Sequence, residues 1–95
     1  MAENHDVAQE TFEIVNALGL HARAATKLVQ LAGKYSSEIE LKKDGQSVNA
    51  KSVMGVLLLC GARGTHVTVW ARGADAAAAV DAIGKLIAAR FGEER

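Results

Sequence analysis

The 95-residue chain has no proline, one cysteine, four aromatic residues (two Phe, one Tyr, one Trp) and no net charge, its 11 Lys and Arg matching 11 Asp and Glu. Each shortage closes off a class of function. A single thiol, Cys60, permits no internal disulfide and fits a reducing cytoplasm. Charge balance leaves no global field to recruit nucleic acid or an anionic membrane. The few aromatics are not interleaved with basic residues, as a nucleic-acid surface requires. The longest apolar run, Val56-Leu57-Leu58-Leu59-Cys60, is far too short to span a bilayer. The polar residues before Thr11 carry no signal-peptide pattern. The expectation is a cytoplasmic protein without membrane insertion.

What is present suffices for one domain. The chain is 49% hydrophobic with regular apolar spacing, and a domain of this size buries roughly 60–70% of its unfolded surface. Residues 1–10 read as a flexible N-terminal tail ahead of a domain over residues 11–95. Alternation with Phe12 and Ile14 on one face predicts a strand over Glu10 to Asn16. Ala25, Leu28, Val29 and Ala32 form the apolar stripe of a helix over Ala22 to Lys34. Strands follow over Ser37 to Lys42 and Gln46 to Asn49, joined by the Asp44-Gly45 turn signal. Ser52 caps a short helix over Val53 to Leu59. His66 to Ala71 alternates as a strand, and Asp75 opens a last helix with Val80, Ile83, Ile87 and Phe91 on one face, ending at Gly92. The order is β-α-β-β-α-β-α. One-sided helices and strands point to a two-layer α+β sandwich.

Gly19-Leu20-His21-Ala22-Arg23 places a histidine and an arginine where a helix begins. That end repels cations, by roughly 0.3–1 kcal/mol each when exposed, and attracts anions through its free N–H groups. A lone surface histidine is usually solvated and inert. Here Gly19 allows close backbone approach, the helix start supplies donors, and Arg23 can meet the charge of a phosphoryl group. His21 is therefore the candidate nucleophile, with Arg23 as its anion partner. No second His, Asp or Cys lies nearby in sequence, so neither a hydrolytic triad nor a metal site is supported, and no cofactor is expected. His5 and His66 read as solvated or structural.

Ser52 is a helix cap on the plain reading and a phosphorylation site on the functional one, since a phosphate at a helix N-cap is electrostatically tolerated. A helix as short as Val53 to Leu59 cannot bury residues all round. Val53, Met54 and Leu57 are candidates for a partner-docking patch that Leu20 would extend.

Together Gly19-Leu20-His21-Ala22-Arg23 and Asn49-Ala50-Lys51-Ser52-Val53-Met54-Gly55-Val56 resemble the phosphohistidine and regulatory-serine motifs of the histidine-containing phosphocarrier proteins (HPr) of the bacterial phosphoenolpyruvate-dependent phosphotransferase system. The resemblance covers Thr11 to Gly92. It implies an open-faced sandwich, a four-stranded antiparallel sheet with three helices on one face. It also implies that His21 takes a phosphoryl group from phosphorylated enzyme I on Nδ1 and passes it to a IIA protein or domain. Arg23 would hold the phosphate, and Ser52 would be modified by a serine kinase/phosphorylase where one exists. Val53, Met54 and Leu57 match the family's exposed apolar positions. The implied protein is a monomeric carrier for sugar transport, a substrate of phosphotransferases rather than an enzyme. A second reading is a regulatory phosphoprotein of a nitrogen-related or other signalling branch that binds targets by phosphorylation state. Two positions depart from the pattern. Ala24 stands where many relatives have proline, and Leu18 where many have a small polar residue. Leu18 cannot hydrogen-bond a phosphate, which makes Asn16 the candidate for that contact.

Overall fold

The computed structural model describes residues 6–95. Its elements are β1 (Val7–Glu13), α1 (Ala22–Ala32), β2 (Glu38–Lys43), β3 (Gln46–Asn49), α2 (Val53–Leu58), β4 (His66–Arg72) and α3 (Ala76–Ala88), with a final 3-10 turn over Arg90–Gly92. The strands form one antiparallel sheet in the order β1-β4-β2-β3. The inner face carries Val67, Val69 and Ala71 of β4 and Ile39 and Leu41 of β2, all buried under the helices. The outer face carries Glu38, Glu40, Lys42, Thr68, Trp70 and Arg72, where Lys42 and Arg72 lie 5.0 and 5.8 Å from the Trp70 ring centre. The architecture is the expected open-faced α+β sandwich, with β3 over the residues expected for it.

The N-terminal boundary differs from the expectation. β1 begins at Val7 and pairs with β4 in seven registers, from Val7↔Arg72 to Glu13↔His66. Residues 7–10 therefore belong to the sheet rather than to a tail, and residues 1–5 lie outside the described residues. The side chains of an edge strand need not alternate in polarity, because its backbone ladder alone fixes it; Gln9 and Glu10 hid the strand for that reason. At its other end the strand stops at Glu13, and Ile14 and Asn16 turn into the core as a loop.

α1 presents Ala24, Ala25, Leu28 and Ala32 to the core. Ala24 is fully buried, and the first turn of α1 is intact with alanine there. α3 buries Ala76, Ala79, Val80, Ile83, Gly84 and Ile87. Phe91 is fully buried, yet not as the last turn of α3. Arg90, Phe91 and Gly92 have φ of 58°, 55° and 80°, so the helix ends early and the chain reverses. The Phe91 carbonyl accepts from Lys27 Nζ at 2.7 Å, which ties this reversal to α1.

Asp75 precedes α3, but its carboxylate does not cap that helix. Oδ1 accepts from Ser37 N and Ser37 Oγ at 3.0 and 2.5 Å, and Oδ2 accepts from Ser36 N at 2.9 Å. This clasp joins the start of β2 to the start of α3. The Ser37 hydroxyl first, then the Ser36 amide, lower the Asp75 pKa from 3.8 to about 2. A carboxylate depressed in the folded state contributes stability above its unfolded value and loses it as pH falls through the folded one. We expect Asp75→Asn to lower the urea midpoint at neutral pH. Its stability should then decline less steeply than the parent's between pH 3.8 and about 2. Parallel acid profiles for the two proteins would show the clasp to be neutral.

Candidate functional site

The site begins with a tight turn. Gly19 N–H donates to the Asn16 carbonyl at 3.1 Å, and Asn16 Nδ2 donates back to the Gly19 carbonyl at 2.8 Å. Gly19 has φ +64°, and a Cβ there would collide with the Gly61 carbonyl oxygen. Leu20 N–H donates to that same carbonyl at 2.9 Å. Leu20 was expected in an exposed docking patch. Its side chain is instead 6% exposed and packs on Gly61, so it pins the loop to the segment after α2.

His21 follows in extended conformation (φ −78°, ψ 179°) at the N-cap of α1, and its carbonyl accepts the first helical bond from Ala25 N–H at 2.8 Å. The N–H groups of Ala22, Arg23 and Ala24 precede that bond, and no side chain caps them. They form the donor-rich helix start expected from the sequence. Arg23 is exposed on the first turn.

The partner of the imidazole was not foreseen. His21 Nε2 meets Glu93 Oε2 in a short contact, and Asn16 Nδ2 donates to Glu93 Oε1 at 2.9 Å. The side chains of His21 and Glu93 are 25% and 14% exposed. Asn16 is fully buried, and its Oδ1 has no partner among the described residues. Both groups facing the Asn16 amide, the Gly19 carbonyl and the Glu93 carboxylate, only accept, so the atom between them is the nitrogen. Asn16 thus lies behind Glu93 with its amide nitrogen donating to that carboxylate and to the Gly19 carbonyl, rather than standing free for the phosphate contact expected of it.

The Asn16 bond, the His21 bond and the charges of His21 and Arg23 lower the Glu93 pKa despite its partial burial. Glu93 is therefore ionised near neutral pH and can only accept. The proton in the shared contact resides on His21 Nε2. In a neutral ring, Nδ1 then holds the free electron pair.

Around this centre, Leu18 is 69% exposed and forms a wall of two hollows. One, of about 450 Å³, is also lined by Arg23, Lys27, Glu93, Glu94 and Arg95. The other, of about 280 Å³, is also lined by His21, Leu20, Cys60 and Ala62. On α2, Met54 and Leu58 are 70% and 64% exposed, whereas Val53 and Leu57 are half-buried against the core. Of the expected docking residues Met54 is fully presented, and Leu58 rather than Leu57 accompanies it one turn on. Six residues of helix turn Leu57 back toward the sheet. Ser52 is the N-cap of α2, and its Oγ accepts from Gly55 N–H at 3.1 Å.

An open-faced sandwich with a partly exposed histidine set beside free helix amides is the architecture of a small phosphocarrier domain. The comparisons agree. Residues 8–89 match the family model described as PTS HPr component phosphorylation site. The chain is 48% identical over 85 residues to a phosphocarrier protein HPr of Cupriavidus necator, covering 90% of this chain and 96% of that one. It is 44% identical to a phosphocarrier protein HPr of Neisseria meningitidis with the same coverage. The crystal structure of HPr from Thermoanaerobacter tengcongensis superposes with a TM-score of 0.89 at 45% identity, covering 93% of this chain and 99% of that one. A structure described as an HPr dimer from the same organism superposes at 0.74 with 46% identity, covering 86% and 94%. The chain belongs to the HPr phosphocarrier family.

The Gly19 turn sets where His21 stands, and this has a direct test. We expect Gly19→Ala to cost roughly 1–3 kcal/mol in urea unfolding, from left-handed strain and the collision with Gly61. The His21 ring resonances should move with it. Unaltered stability and resonances would mean that the loop adapts freely.

Proposed function

We propose that the protein is a phosphoryl carrier whose acceptor is His21 Nδ1. It would receive the group from phosphorylated enzyme I and pass it to a IIA protein or domain of the phosphotransferase system in the cytoplasm. The observation that carries this reading is the His21–Glu93 contact. By fixing the Nε2 proton, it leaves the Nδ1 electron pair available beside the free amides of Ala22 to Ala24. The donor's phosphorus–nitrogen bond breaks as the Nδ1–phosphorus bond forms. Arg23 and the amides meet the charge of the phosphoryl oxygens. The protein needs no further catalytic group, because its partners supply the rest of each site, and it acts as a substrate of phosphotransferases. Leu18, Met54 and Leu58 are the apolar surface offered to partners. The Ser52 hydroxyl, at the start of the helix that carries Met54 and Leu58, is the regulatory site for a serine kinase/phosphorylase where one is present.

His21→Ala should abolish acid-labile labelling by phosphoenolpyruvate and enzyme I, and label appearing at wild-type level would reject His21 as acceptor. Ser52→Asp retains a good helix cap but places a negative charge beside the docking face. Labelling of His21 should then slow by about tenfold or more, the scale of a like-charge encounter at an interface. Equal initial rates for Ser52→Asp and the parent would remove the regulatory role.

A further inference from the structure

Phosphorylation of Nδ1 changes what the ring needs at its other nitrogen. Once Nδ1 carries phosphorus and Nε2 carries hydrogen, the ring is an imidazolium cation. When an acceptor attacks the phosphorus, the Nδ1–phosphorus bond breaks and its electron pair returns to Nδ1. With the Nε2 proton still in place the departing ring is neutral imidazole. Had that proton been lost, the departing ring would be an imidazolate anion, a far poorer leaving group.

Resting on the carrier reading above, we propose that Glu93 is a positioning residue that keeps the Nε2 proton on His21 through both transfers, and that Asn16 holds Glu93 in place for this task. Glu93 Oε2 contacts Nε2 and not the phosphoryl-accepting nitrogen, so the carboxylate can stay when the phosphoryl group arrives. Asn16 Nδ2 bridges Glu93 Oε1 and the Gly19 carbonyl, the latter just before His21 in the chain, so ring and carboxylate share one anchor. Asn16 is buried with Oδ1 unpartnered among the described residues, a cost that its two amide bonds, to the Gly19 carbonyl and to Glu93, offset. Glu93 is itself fixed by the buried Phe91 and by the Lys27 bond to the Phe91 carbonyl. The charged and titratable groups around the ring are Glu93 at Nε2, Arg23 on α1 and Cys60 on the loop after α2. Lys27, Glu94 and Arg95 line the hollow on the Glu93 side. Among the described residues, Glu93 alone hydrogen-bonds the ring. No proton leaves or enters the ring in either transfer.

The test uses the full chain, 15N-labelled at histidine and phosphorylated by enzyme I and phosphoenolpyruvate. The pH at which the Nε2 proton is lost from phosphorylated His21 is followed by NMR. The rate of phosphoryl return to dephosphorylated enzyme I is measured across the same range. In Glu93→Gln the proton should be lost about one pH unit earlier, a tenfold loss of proton affinity. Return transfer should be about tenfold slower on the alkaline side and little altered on the acid side. Asn16→Ala should shift both in the same direction by less. Glu93→Asp, which keeps the charge, should recover part of the effect. A merely structural Glu93 would move the unfolding midpoint but neither profile. Coincident profiles in parent and Glu93→Gln, with His21 phosphorylated in both, would overturn this inference and leave the carrier reading standing. Absence of His21 phosphorylation in the parent would overturn both.

Discussion

The start of α1 holds an imidazole and a guanidinium together, and the chain brings a carboxylate to them from far along its sequence. His21 and Arg23 stand at the start of α1, where the dipole and the free N–H groups disfavour positive charge. Glu93 contacts the His21 ring across 72 residues of sequence. This contact decides which ring nitrogen is protonated and which way the ring faces. It also holds the ring partly exposed beside the free amides of the helix start. The remaining local structure serves to make the contact possible.

Two chain segments must reach one point for that to happen. The β1–α1 loop arrives through the Asn16–Gly19 turn, braced against Gly61 by Leu20. The C-terminal segment arrives by reversing after α3. That reversal places two non-glycine residues, Arg90 and Phe91, in left-handed conformation, at roughly 1–2 kcal/mol each. Complete burial of the Phe91 ring contributes up to about 3 kcal/mol. The Lys27 bond to the Phe91 carbonyl adds about 1.5–3 kcal/mol for a charged donor. The two gains match or exceed the strain, so the reversal is held in place and Glu93 with it.

Much of this was legible in the sequence, and the parts that were not share a cause. The helix stripes, the Asp44-Gly45 hairpin and the Gly19 turn each depend on neighbours in sequence, and each stands where periodicity and turn chemistry put it. His21 and Arg23 stand out in the sequence because positive charge is wrong for a helix start, which is a local contradiction. Glu93 left no such mark. An acidic residue after a C-terminal glycine has no local oddity, and its meaning comes from an imidazole and an amide far away in the chain. Asn16 was singled out as a substitute for the phosphate contact that Leu18 cannot make, yet one of its partners lies 77 residues off. The start of β1 failed for a related reason. Its partner strand, not its own alternation, makes Val7 to Glu10 a strand.

Leu18 and Leu20 show how one turn separates two roles. Left-handed Gly19 sends the two leucines in opposite directions, Leu20 into the core and Leu18 into solvent between the hollows beside His21. Leu18 therefore gives up a hydrogen bond to phosphate and gains a place beside Met54 and Leu58 among the exposed large apolar side chains. Full burial of a side chain of this kind contributes about 1.5–3 kcal/mol, so three supply roughly 5–9 kcal/mol at most. Association costs an estimated 4–15 kcal/mol in lost freedom of motion. The cost matches or exceeds this gain over most of its range, so the apolar contacts alone do not give a lasting complex. Charges at the rim and the phosphoryl group itself must tip the balance. For the carrier proposed above, which has to leave one partner before it meets the next, a small balance of this kind would favour fast release. It also explains why one added negative charge at Ser52 would be enough to govern the encounter.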